Sequence, residues 1–153
     1  MPSMRGSETE KNLLKAFAGE SQARNRYTYA ASVAEKEGFR HIAAIFRETA
    51  DNEKEHAKRF FSFLDSGEAL EITAAYPAGK TGTTADNLRA AANGENEEWT
   101  HLYPAFAETA RKEGFMEAAA AFTLIGKVEK EHEARYRKLL DDVEKDHVFK
   151  KDE

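Results

Sequence analysis

Apolar residues recur at alternating steps of three and four through four long segments of the chain, the spacing of helices that bury one face in a bundle. The first predicted helix spans about 9–36, with an inward stripe of Leu13, Phe17, Glu20, Tyr27, Ala31 and Ala34. The second spans about 40–64 and turns Ile42, Phe46, Thr49, Glu53, His56, Phe60 and Phe63 inward. The third spans about 84–113, opening near Thr84 as N-cap with Asp86 in its first turn. It carries Leu88, Ala91, Glu95, Glu98 and Leu102 inward. Pro104 falls inside this helix and is expected to kink or locally unwind it. The fourth spans about 116–145, with Phe122, Ile125, Glu129, His132, Tyr136, Leu139 and Val143 on its inner face.

Gly38 and Gly114 supply helix stops, both within the local sequence Lys-Glu-Gly-Phe. That identity exposes an internal repeat: at a shift of 76, 17 of the 39 positions from Tyr27 to Asp65 match their counterparts. Glu53-Lys54-Glu55-His56 returns as Glu129-Lys130-Glu131-His132. The expected fold is therefore an all-α four-helix bundle of two related hairpins with approximate twofold symmetry. Before Tyr27 the match loosens, because Glu20 meets Glu95 only at a shift of 75; an inserted residue near Pro104 would account for this. The segment 66–83 joins the hairpins and holds Gly67, Pro77, Gly79 and Gly82. Extended, it could reach roughly 60 Å against roughly 40 Å for a 28-residue helix. It can cross the whole bundle, or carry the second hairpin onto another subunit, and a homodimer is expected. Leu70-Glu71-Ile72-Thr73 is expected as a short extended piece.

The chain has 153 residues, enough for one domain with a sizeable core, 1–153. Hydrophobic residues make up 41% and charged residues 33%, the balance of a helical protein with wet outer faces. A net charge of -5 gives no reason to expect nucleic acid or an anionic membrane as partner. The absence of cysteine excludes disulfides, thiolate metal sites and cysteine nucleophiles from this chain. No long apolar run or leader pattern occurs, so the expected location is the cytoplasm.

Part of the negative charge falls where a core should be apolar. Glu20, Glu53, His56, Glu95, Glu98, Glu129 and His132 all lie on inward stripes. Glu53/His56, Glu95/Glu98 and Glu129/His132 are spaced by three, so each pair shares a helix face. A single inward Glu is ordinarily a boundary residue, and a single His a hydrogen-bonded core residue. Five converging carboxylates are different, since each unpaired buried ion costs several kcal/mol. Two divalent cations would neutralise most of that charge and use the oxygens as ligands. Carboxylate with imidazole and no thiolate suits iron, with manganese or zinc as substitutes. One Glu from each of two helices and Glu-x-x-His from each of the other two is the pattern of ferritin-like di-iron proteins. Glu20 and Glu95 would be the single carboxylates.

Glu98 exceeds that pattern. With Glu20-Ser21-Gln22-Ala23-Arg24-Asn25-Arg26-Tyr27, Glu53-Lys54-Glu55-His56-Ala57 and Gly94-Glu95-Asn96-Glu97-Glu98-Trp99, it makes the sequence resemble a rubrerythrin from about Gly6 to Lys150. The resemblance implies a non-haem di-iron centre that reduces hydrogen peroxide to water. It implies bridging roles for Glu53 and Glu129, with Glu20 terminal on one iron and Glu95 and His132 on the other. It further implies that Glu98 and His56 exchange as ligands during redox change, and that Tyr27 and Tyr103 hydrogen-bond the carboxylates. From spacing alone, both tyrosines serve equally as aromatic core. Rubrerythrins typically continue past a segment like Val148-Phe149-Lys150 into a four-cysteine rubredoxin domain, for which this chain has no cysteine. Either it is a short form fed by an external electron donor such as a rubredoxin or its reductase, or the chain has been shortened. The rival readings are a ferroxidase or iron-handling protein of ferritin type, and a metal site that only staples the fold.

Overall fold

The structure is a computed structural model in which residues 3–145 are described. The sequence elements rise as α1 (Glu8–Lys36), α2 (Arg40–Phe61), α3 (Thr84–Glu97), α4 (Tyr103–Lys112) and α5 (Met116–Glu144). A five-residue π turn, Glu98–Leu102, joins α3 to α4 in one rod. The architecture is thus a four-helix bundle of two hairpins, α1 with α2 and the α3–α4 rod with α5.

The hairpin bends follow from glycine. Gly38 (φ 89°) and Gly114 (φ 87°) sit in the left-handed region that β-carbons disfavour. Each lets the following Phe amide reach back five residues, Phe39 to the Ala34 carbonyl and Phe115 to that of Ala110, both at 2.8 Å. The first helix of each hairpin is capped by a short polar side chain: Ser7 accepts from the Glu10 amide, and Thr83 forms a capping box with Asp86. The N-cap of α3 is therefore Thr83, not the expected Thr84, because the Thr83 hydroxyl is the one aligned with the free amides. Helix α2 ends at Phe61, three residues before the expected end, and Ser62 to Leu64 continue only as a turn. Leu70 to Thr73 form no strand. The expected Val148-Phe149-Lys150 landmark lies outside the described residues.

Pro104 was expected to disturb the third helix, and the disturbance lies just before it. The Tyr103 amide bonds to the Glu98 carbonyl, five residues back, so one extra residue is accommodated there. This accounts for the change of repeat shift from 75 at Glu20/Glu95 to 76 at Tyr27/Tyr103.

Two apolar clusters flank the bundle's middle. One includes Ile42, Phe46, Leu88 and Tyr136, the other Leu13, Phe60, Ala107 and Phe122. Each fully buried Phe or Leu contributes about 1.5–3 kcal/mol relative to exposure. The ends are clasped by equivalent carboxylates from the repeated motif. Glu113 accepts the Thr9 amide at 2.8 Å and Glu37 the Thr84 amide at 3.0 Å, so each hairpin bend caps the other hairpin's first helix.

The crossover runs along α1. It begins near Arg5, which donates to the Ser66 carbonyl at 3.1 Å. At its middle the Tyr76 hydroxyl donates to the Lys15 carbonyl at 2.7 Å.

Candidate metal centre

Between the two apolar clusters the helices present charge. Glu20 comes from the middle of α1, Glu53 and His56 from α2, Glu95 from α3, and Glu129 and His132 from α5. Glu20, Glu53, Glu95 and Glu129 are all 0% exposed. Their donor atoms gather into two overlapping groups, Glu20/Glu53/His56/Glu129 and Glu53/Glu95/Glu129/His132, with the atoms of each within 4.8 Å of one another. Glu53 and Glu129 belong to both, so they stand between two positions.

His56 Nδ1 lies 2.7 Å from Glu20 Oε1 and 3.1 Å from Glu129 Oε1. His132 Nδ1 lies 3.2 Å from Glu53 Oε1 and 3.5 Å from Glu95 Oε1. Tyr27 donates to Glu95 at 2.6 Å and Tyr103 to Glu20 at 2.8 Å. The repeat-related phenols thus cross between hairpins, each orienting the other half's single carboxylate. Burial, then the adjacent carboxylates, raises both phenol pKa values well above their usual value, so both remain proton donors.

The fit to cations follows from what these groups lack. Both oxygens of Glu53 and of Glu129, Glu95 Oε2 and His132 Nδ1 are buried without a hydrogen-bond partner. Burial first, and neighbouring carboxylates second, push Glu53 and Glu129 well above the ordinary carboxylate range. Partnerless oxygens and imidazole nitrogen around two shared positions are a donor set for a pair of metal ions. Without metal, these raised pKa values mean the folded state holds protons that the unfolded chain releases. The contribution of these groups to stability is full in acid and is lost as pH rises above about 4.3, the unfolded carboxylate value. The metal-free protein is expected to melt progressively lower from acid to neutral pH, and the zinc-loaded protein to lose that slope. Melting followed by circular dichroism across this range checks it, and a flat metal-free profile counts against buried charge.

Glu98 stands apart. It opens the π turn, is partly buried, and belongs to neither four-residue group. Its pKa is raised by burial, then by Glu20 and Glu95, with the Glu129 side chain and then Arg26 opposing. Gly19 leaves room beside it: a β-carbon there would lie 3.8 Å from Glu98 Oε2 and 3.5 Å from the Tyr76 ring. The nearby cation is Arg26, held by Gln22 at 2.6 Å, while Arg24 is exposed.

Sequence reasoning missed three contacts. Asn52 Oδ1 accepts from His132 Nε2 at 3.0 Å, which leaves His132 Nδ1 free to face the carboxylates. Thr49 and Tyr136 hydroxyls are hydrogen-bonded to each other in the core. Tyr76 comes from the crossover, whose path no periodicity reveals. Asn52 and Thr49 share the inward arc of Glu53 and carry the only available signal, polar side chains beside the ionisable ones.

An all-helical bundle with this carboxylate–histidine centre defines the ferritin-like di-iron class. Bacterioferritin from Mycobacterium tuberculosis shares the fold at a TM-score of 0.76, 19% identity, and 90% and 87% coverage of this chain and that one. The chain belongs to the rubrerythrin family, whose sequence model matches residues 11–140. It is 68% identical over 151 residues to a rubrerythrin of Porphyromonas gingivalis, covering 99% of this chain and 75% of that protein. A nigerythrin structure in the fully reduced, all-ferrous state superposes with a TM-score of 0.80 at 31% identity, over 93% of this chain and 73% of that one.

Proposed function

We propose that the chain is a non-haem di-iron peroxidase that reduces hydrogen peroxide to water with electrons from an external carrier such as a rubredoxin. The observation that carries this is Glu98, a fifth inward carboxylate and seventh ligand-type side chain, outside the two four-residue groups. Retention of two ions needs six groups, so an additional ligand-type side chain at the rim supports a site that changes its ligands. In this reading Glu20, Glu53, Glu95, Glu129 and His132 hold the ions throughout, and His56 and Glu98 alternate. Imidazole is relatively better for ferrous iron and the harder carboxylate for ferric. Two ferrous ions bound there would supply two electrons and the Lewis acidity that O–O cleavage requires. The protein's part is to hold Glu20 and Glu95 in place through Tyr103 and Tyr27, and to bury the centre between Phe46 and Phe60.

The test is anaerobic stopped-flow oxidation of the diferrous protein. Peroxide is expected to react at least about tenfold faster than oxygen, a barrier difference of roughly 1.4 kcal/mol. Faster reaction with oxygen, or assembly into a hollow shell, would transfer the assignment to a ferroxidase.

A further inference from the structure

A cavity of about 490 Å³ lies between α1, the α3–α4 rod and the crossover. Ala16, Ala23, Pro77, Leu102 and Phe106 give it mainly apolar walls. Tyr27, Tyr103 and Glu98 border it on the side of the buried carboxylates, and Lys15 and Arg26 are partly exposed. At about 30 Å³ per water, it would hold roughly 16 water-sized molecules, far more than one hydrogen peroxide. Volume on this scale, with apolar walls and a few convergent polar groups, suits an organic ligand.

We propose that the cavity admits organic hydroperoxides, with the carbon body against Ala23, Leu102 and Phe106 and the O–O group inward beside Glu98. This rests on the peroxidase reading and widens its substrate class. The reaction is ROOH + 2 e⁻ + 2 H⁺ → ROH + H₂O. The O–O bond breaks, the protons come from water, and the electrons come from the same external carrier that serves hydrogen peroxide.

The test compares cumene hydroperoxide with hydrogen peroxide in single turnovers of the diferrous protein. The organic oxidant is expected to react within about tenfold of hydrogen peroxide. Ala23→Leu and Leu102→Trp fill the cavity from different helices, and Leu102, 40% exposed, can be enlarged without disturbing the core. Each is expected to lower the organic-to-hydrogen peroxide rate ratio at least about tenfold. Calorimetry should show cumyl alcohol binding to the zinc-loaded parent and not to either variant. Rapid reduction of hydrogen peroxide with a slower-than-tenfold organic reaction, or a ratio unmoved in both variants, overturns the inference alone. Failure of both oxidants overturns it together with the peroxidase reading.

A second inference rests on the repeat. The hydrogen bond to His132 has an apolar counterpart at His56 at a shift of 76, where Asn52 becomes Val128; Thr49 and Tyr136, hydrogen-bonded to each other, likewise become Ile125 and Phe60. His132 is fixed at Nε2 by Asn52, whereas the hydrogen bond of His56 is at Nδ1, to Glu20. We infer that Asn52 is a positioning residue that makes the His132 metal position rigid, while Val128 leaves the His56 position adjustable. A hydrogen bond to a ligand histidine's second nitrogen fixes ring orientation and is worth about 10–100-fold in metal affinity.

Calorimetric zinc titration of the metal-free protein should therefore resolve a tighter and a weaker step. Asn52→Val is expected to weaken the tighter step about tenfold or more, and Asn52→Asp, which keeps an oxygen acceptor, to restore it. Val128→Asn should tighten the weaker step. In zinc-loaded protein the His132 Nε2–H signal should be visible by nitrogen-edited NMR and vanish in Asn52→Val. Equal steps in the parent, or an Asn52→Val chain with both steps and the signal unchanged, overturn the assignment.

Discussion

A chain carrying both Glu53→Ala and Glu129→Ala is expected to bind no pair of irons. These are the two carboxylates common to both groups of candidate ligands, so their loss strips each position of two of its four donors. No oxygen of either residue has a hydrogen-bond partner, and their histidine contacts at 3.1 and 3.2 Å are to other candidate ligands, so the loss falls mainly on metal binding. Affinity for the pair should drop by more than about a hundredfold, or roughly 2.7 kcal/mol. Iron per chain, measured after anaerobic loading and desalting, reads this directly. Two irons held as tightly as in the parent would mean that the ions sit elsewhere.

The next largest effects concern Glu98 and His56, which should respond in opposite senses. Glu98→Ala is expected to leave ferrous loading nearly intact and to slow turnover with peroxide at least about tenfold. His56→Ala should weaken ferrous loading first, because it removes a donor from the Glu20 group. The contrast separates ligand exchange from simple damage, since damage would lower loading in both. A kinetically silent Glu98→Ala, combined with oxygen as the faster oxidant, would remove the peroxidase reading.

The parts of this fold legible in the sequence were those written in periodic or repeated residues. Steps of three and four located all four helices, and Lys-Glu-Gly-Phe located both bends. The candidate ligands were visible because each is a charged residue where the period demands an apolar one. What escaped lacked such contrast. Thr83 and Thr84 are equally good caps on paper, and only backbone geometry selects the first. Arg24 and Arg26 differ by about 200° around α1, and the sequence alone does not show that Arg26 is the one near Glu98. The Asn52 contact crosses from α2 to α5, a distance of 80 residues in sequence, beyond any local pattern.

The π turn bears on how such a chain can change its length. Removing one residue from a helix interior ordinarily rotates everything beyond it by about 100°, which would swing Tyr103 away from Glu20. Here Glu95 and Tyr103 are eight apart where Glu20 and Tyr27 are seven apart, so the rod carries one residue of slack. A deletion within Glu98–Leu102 would take up that slack and keep both ends in phase. The obstacle is Pro104, whose ring opposes a continuous α-helix by about 3 kcal/mol; at the corresponding place α1 has Thr28. Deleting Glu98 itself together with Pro104→Thr would convert the rod to the form of α1, discarding the rim carboxylate and leaving the box of six beneath it whole.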